Sequence, residues 1–266
     1  MVDDSTVLFF MGKFIVGMLV FVRVTGILVT APLFRSSAII PHVKVMIAVI
    51  LATIITSALW KEHPTIEFHL WNMIFLVFKE LFVGLMLGFV TNTVFWAARM
   101  AGGLIDMDMG YQTATLFDRE NSNPSLVGEL KELIVLMVFL FINGHYYIFE
   151  AIFFSVKAIP LTTMAISESS ITLLMKMATS VFILGIKMAS PVLISLFLTN
   201  LSLALLARVA PQTNIFILSF QLKVAVGLII LMASVPLFVV IAKYSLASVQ
   251  DQLYTFLLTL YPGRVP

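Results

Sequence analysis

Ionisable side chains lie in this chain where apolar residues would be expected, and their types limit the chemistry open to them. Lys13, Arg23, Lys79, Glu80, Arg99, Lys176, Lys187, Lys223 and Lys243 all sit within or at the edge of long apolar runs. A membrane proton relay rests on embedded Asp or Glu, and Glu80 and Glu150 are too few and too isolated to form one. His42, His63, His69 and His145 have neither metal-ligand spacing nor acidic neighbours, so each reads as a loop or interface residue. There is no cysteine, which removes a disulfide framework, a thiolate metal site and thiol catalysis. A P-loop, an HExxH pair and a nucleophile elbow are all missing from the sequence. These residues imply no enzyme, no cofactor and no metal.

What remains for the charges is contact. An unpaired charge at the bilayer centre costs about 2.5–3.5 kcal/mol on insertion scales. Some of the lysines can snorkel toward a headgroup layer. The others need partners, and the set is nearly all cationic. The acids of the apolar runs are too few to neutralise it, which points to carboxylates supplied by other subunits.

The elements that must position these residues follow from composition. Of 266 residues, 61% are apolar and 11% charged, against roughly 45–50% and 25% in a soluble domain. The mean hydropathy is +1.07. A water-soluble globule could not hide so much apolar surface, so its solvent is lipid or other apolar protein. The net charge of +2 is small and dispersed, which argues against nucleic acid.

Six stretches reach the roughly 20 residues that a bilayer core requires, at about 7–34, 40–60, 70–101, 126–158, 171–207 and 213–248. Leu253 to Leu260 is a seventh, too short to span and suited to the interface. Their length and the lack of period-two alternation mark helices rather than a barrel. The first run follows Asp3 and Asp4 and contains Lys13 and Arg23, so it reads as a mature helix and not a cleavable signal.

Three runs carry possible breaks: Asn143-Gly144-His145, Gly185 with Pro191, and Pro236. They predict either half-helices folded into hairpins or ordinary proline kinks. Gly84 and Gly88 form a small-xxx-small pair, followed by Ala97, Ala98, Ala101, Gly102 and Gly103. Such residues allow close helix packing, within the chain or to another subunit. Lys and Arg are spread so evenly over the loops that they orient the chain only weakly, with 35–44 and 99–132 cytoplasmic. Residues 106–118 mix Met, aromatic and small polar side chains and turn polar through Pro124. That composition suits a flexible plug, since Met adapts to variable shapes, but on composition alone a plain connecting loop whose Met residues dip into the interface is the favoured reading.

Over nearly its whole length the chain resembles the FliR family, the single-copy membrane subunit of the flagellar type III export gate, whose injectisome counterparts are close relatives. The likeness rests on Arg23 with Thr30-Ala31-Pro32, Ile40-Pro41-His42-Val43-Lys44, Lys79-Glu80, Gly84, Gly88-Phe89 and Arg99-Met100-Ala101-Gly102. It continues through Met109-Gly110, Ala114-Thr115 and Asp118, then Phe141-Ile142-Asn143-Gly144-His145, Ile159-Pro160-Leu161, Ala210-Pro211-Gln212-Thr213-Asn214-Ile215-Phe216 and Val226-Gly227. After Asp118, Arg119-Glu120-Asn121 departs from the Pro and Gly- or Ser-rich continuation of many members, so the end of the central loop is not fixed by the likeness.

The resemblance implies an all-α, polytopic bundle of about six long, partly broken helices forming bent hairpins, like a fusion of a FliP-type subunit (about 1–160) and a FliQ-type subunit (about 161–266). It implies a single export-gate subunit without enzymatic activity, in the bacterial inner membrane at the flagellar basal body. One copy would join FliP and FliQ, beside FlhA, FlhB, lipid and unfolded export substrates. The loop at about 106–123 would then plug the channel, with Met107, Met109, Tyr111 and Phe117 occluding it and Gly110 letting it move. Arg23, Lys79, Glu80, Arg99, Lys187 and Lys223 would make intersubunit or intramembrane charge contacts. Gly84, Gly88 and Gly102 would sit at close helix crossings. The alternatives are the equivalent injectisome subunit and, from another class, a small-solute secondary transporter. The transporter lacks a detectable internal repeat and a buried acid cluster.

Overall fold

The structure is a computed structural model that describes residues 4–35, 39–59, 70–111, 125–159, 161, 167–212 and 214–260. The described residues form helices: α1 (Asp4–Thr30), α2 (Pro32–Arg35), α3 (Pro41–Leu59), α4 (Leu70–Met109), α5 (Leu126–Phe141), α6 (Gly144–Ala158), α7 (Glu168–Val209) and α8 (Ile215–Thr259). Five segments are long and apolar enough to cross a membrane: Met11–Thr30, Pro41–Ala58, Trp71–Met109, Glu168–Val209 and Ile217–Thr259. The chain is therefore a helical membrane bundle.

The sixth expected span is absent, for a local reason. The 126–158 stretch divides at Asn143, which holds a left-handed backbone at φ 59°. Asn tolerates that conformation because its short side chain bonds locally. The resulting helices have 16 and 15 residues, about 24 Å or less at 1.5 Å per residue, short of the roughly 30 Å hydrocarbon core.

The prolines behave differently from that turn. Pro191 and Pro236 both lie inside continuous helices, so α7 and α8 are not halved there. Pro191 leaves the Lys187 carbonyl without its usual amide donor, and the Ser190 hydroxyl donates to that carbonyl at 2.9 Å instead. Leu253 to Leu260 is not a separate interfacial piece either, since α8 continues through Thr259.

The chain divides into two compact units. The first takes Met1–Asn92, Asn143–Met177 and Ala247–Pro266, and the second takes Thr93–Ile142 and Ala178–Leu246. In the first, α1 packs along α3, and Ile15, Leu19 and Ile27 of α1 are buried on one stripe at spacings of four and eight residues. Arg23 falls on this stripe and is fully buried. In the second, α4 buries Phe95, Ala98, Ala101 and Ile105, and Phe95 meets Phe139 of α5 edge to face at 5.8 Å.

Candidate functional site

Because Arg23 sits on the buried stripe of α1, its guanidinium must find partners inside the protein. It finds three. Nε donates to Glu80 Oε2 at 2.5 Å. Nη1 donates to the Ser155 carbonyl at 2.7 Å, and both terminal nitrogens approach the Ile159 carbonyl at 3.2 and 3.3 Å. Those carbonyls belong to the end of α6 and the residue after it, the helix end where a cation is favoured; the Ser155 carbonyl also accepts from the Ile159 amide at 3.0 Å. One side chain thus ties α1 to α4 and α6. The carboxylate comes from this chain, so of the two kinds of charge contact expected for Arg23 and Glu80 this one lies within the chain.

The same crossing explains two glycines. A Cβ on Gly84 would run into the Arg23 carbonyl and one on Gly88 into the Thr30 side chain, so α1 and α4 touch backbone to backbone. Asn92 closes the contact by donating from Nδ2 to the Thr30 carbonyl.

In the second unit, the end of α4 meets the start of α5. Asp106 is buried in the last turn of α4. Its Oδ2 accepts from the Ser125 hydroxyl at 2.7 Å and from the Val127 amide at 3.1 Å. Ser125 in turn accepts from the Gly128 amide at 2.9 Å as the N-cap of α5. A Cβ on Gly102 would strike the Gly128 backbone, so the two helices are pressed together below this cap. The central loop therefore begins later than the expected Asp106: α4 runs through Met109, and Gly110 turns out of it at φ 80°, the left-handed conformation that glycine adopts without cost.

The expected plug residues separate accordingly. Met107 is 66% exposed, whereas Met109 is buried beside Gly227 of α8. Tyr111 is half-buried. Phe117 and the rest of the loop through Pro124 lie outside the described residues, as do His63 and His69.

The remaining expected cations are dispersed. Arg99 pairs with Glu132 of α5 at 2.9 Å on the surface. Lys79 lies over the Phe75 ring at 4.9 Å. Lys187 is exposed and Lys223 half-buried, and neither meets a carboxylate among the described residues.

The sequence reading missed Lys131. It is buried on α5, where Nζ donates to the Met188 carbonyl at 3.3 Å and lies 4.0 Å from the centre of the Phe238 ring. The helix that carries it is not one of the five spans, and burial pushes its pKa down to about 8. A signal was available, since Val127, Lys131, Val135 and Val138 share one helical stripe, which makes 131 a core position. Among the described residues, no group of three or more His, Cys, Asp or Glu gathers as a metal site would.

The geometry among the described residues is that of buried charges holding helix crossings. Residues 14–249 match the family described as bacterial export proteins, family 1. The chain is 31% identical over 230 residues to the flagellar biosynthetic protein FliR of Bacillus subtilis, covering 85% of this chain and 88% of that protein. It is 29% identical over 218 residues to FliR of Escherichia coli K12, covering 81% and 82%. It is also similar to the Yop proteins translocation protein T of Yersinia pestis, with 29% identity over 173 residues, 64% of this chain and 66% of that one.

Proposed function

This chain belongs to the bacterial export proteins, family 1, and on that premise we propose that it is a membrane subunit of the flagellar type III export gate, helping to form the inner-membrane passage for unfolded flagellar proteins. The carrying observation is the match over 14–249 together with relatives, aligned over 81–85% of this chain, named as flagellar biosynthetic proteins. Five apolar helices suit a membrane subunit. The subunit performs no chemistry of its own. Its partners are FliP and FliQ in a gate with one copy of this chain, with FlhA and FlhB nearby, and its two parts, about 1–160 and 161–266, correspond to a FliP-type and a FliQ-type subunit. Lys187 and Lys223 meet carboxylates of those partners, because an unpaired cation on an apolar face is costly.

The loop from Gly110 onward occludes the passage. The Asp106–Ser125 cap supports this reading, since it braces both ends of the loop on packed helices. Deleting Met107 to Phe117 should raise ion leakage while the gate still assembles; an unchanged leak sinks the plug. The function as a whole is tested by deleting the gene and assaying motility with flagellin and hook protein in the medium. Loss of all three, restored by the intact gene, is the expected result. Normal export would remove the flagellar assignment and direct the search to effector secretion by an injectisome, the system suggested by the likeness to the Yop translocation protein.

A further inference from the structure

Lys131 of α5 holds a position in the second unit that the export role leaves unused. Its Nζ touches two long helices at once, donating to the Met188 carbonyl of α7 at 3.3 Å and lying 4.0 Å from the centre of the Phe238 ring of α8. That hydrogen bond is at the long end of the normal range, and a ring face is a weaker partner for an ammonium than a carboxylate. Lys131, Met188 and Phe238 are all buried, so bulk water does not make up the difference.

No acid takes up the charge either. At this level the ionisable groups of the packed helices are Arg99 and Asp106 on α4, Glu129 and Glu132 on α5, Lys187 on α7 and Lys243 on α8. Arg99 and Glu132 pair with each other, and Asp106 accepts from Ser125 and Val127. Glu129 lies off the buried stripe of α5, and Lys187 and Lys243 are exposed cations. None forms an ion pair with Nζ.

The same level is where α7 and α8 can yield. Pro191 follows Met188 by three residues, and Pro236 precedes Phe238 by two. A proline has no amide hydrogen, so each helix lacks one lengthwise hydrogen bond there and bends more readily. On α7 the Ser190 hydroxyl stands in for it. The buried ammonium thus bears on both helices within one turn of their weakest points.

Burial favours the uncharged amine and pushes its pKa down to about 8. Parting the helices would admit water and restore the ordinary value of 10.5. The parted seam therefore binds the proton more tightly than the closed one, and by linkage protonation drives the parting.

We propose that Lys131 is a proton-driven wedge, which when charged parts the seam between α5, α7 and α8 by bending the long helices at Pro191 and Pro236, and when neutral lets it close. The inference goes beyond the export function and does not depend on it.

The test is amide hydrogen exchange on the full chain in its membrane complex, from pH 9.5 to pH 7. Protection of the amides in 187–193 and 233–239 is divided by that of the α1 amides around Arg23, which cancels the pH dependence of the intrinsic rate. The ratio should fall by about 30-fold over that range, most of it above pH 8. In Lys131→Met it should stay constant. A constant ratio in the unaltered protein, or an equal fall in Lys131→Met, overturns the wedge. A loss of protection spread evenly along α7 and α8 also overturns it, because that is the mark of general unfolding and not of bending at the prolines.

Discussion

Arg23 in the first unit and Lys131 in the second are both buried cations, and the fold accommodates them by different means. Arg23 sits at a meeting of three chain segments and donates to one carboxylate and two carbonyls. Lys131 has one carbonyl and the face of one aromatic ring. The difference follows from the side chains. A guanidinium is a planar fork that stays charged at any pH proteins meet and can serve several acceptors together. An ammonium on a flexible stem can release its proton when burial is insufficiently compensated, and the lowered pKa of Lys131 records that tendency. Burial of charge therefore makes a permanent tie in one unit and a titratable position in the other.

The sharpest way to break this contrast is to remove one partner of the Arg23 tie. Arg23→Leu or Glu80→Leu alone leaves an uncompensated buried charge and should cost about 3–5 kcal/mol, read as a collapse of folded protein in the membrane fraction and of its melting temperature in detergent. The double variant should recover a large part of that loss. A single variant that melts with the wild type would show that the tie is dispensable.

Helix crossings come next. Gly84→Val beside Arg23 and Gly102→Val at the α4–α5 crossing force backbones apart in both units, each at about 1–3 kcal/mol. Comparable losses would assign the contrast to the charges rather than to the packing around them.

Lys131→Met should be near neutral or slightly stabilising, because a buried cation gives way to an apolar chain of similar length. Its pH signature is more telling. The native pKa is lowered to about 8 from 10.5, so between those values the unfolded chain holds the proton and the native chain has released it. Stability contributed by this group therefore rises with pH across that window and is lost as pH falls through about 8. Lys131→Met should flatten that slope in detergent melts. The smallest effect belongs to the surface pair. Arg99→Gln or Glu132→Gln should shift stability by about 1 kcal/mol or less.

These regions were unequally legible in the sequence. The all-helical membrane class followed from composition and run length. Arg23 and Glu80 stood out because a charge inside an apolar run announces itself, but nothing local in a sequence joins residues 57 positions apart. The turn at Asn143-Gly144 was visible as turn chemistry. Pro191 was misleading as a break because the carbonyl it frees is met by the hydroxyl of the preceding serine, a repair within one turn that a residue-by-residue reading overlooks. Asp106 was read as the first residue of a loop, since a carboxylate after an apolar run looks like solvent. It is buried because it caps a helix beginning near Ser125, across a segment whose length says nothing of that return. Lys131 was hidden by its neighbourhood of Glu129, Lys131 and Glu132, which resembles a wet helix face until the stripe is drawn.

The first unit closes its chain ends in a particular order in time. Every partner of Arg23 has been synthesised once Ile159 is made. Ser167 and Ser170 at the start of α7 bond the Thr259 carbonyl, 92 and 89 residues later. At bacterial-to-eukaryotic elongation rates of about 5–20 residues per second, that separation is about 5–20 s. For that interval every group of the arginine knot has been made while the start of α7 still lacks its counterpart. Until the last turn of α8 arrives, the Ser167 and Ser170 hydroxyls have each other as local partners at 2.9 Å.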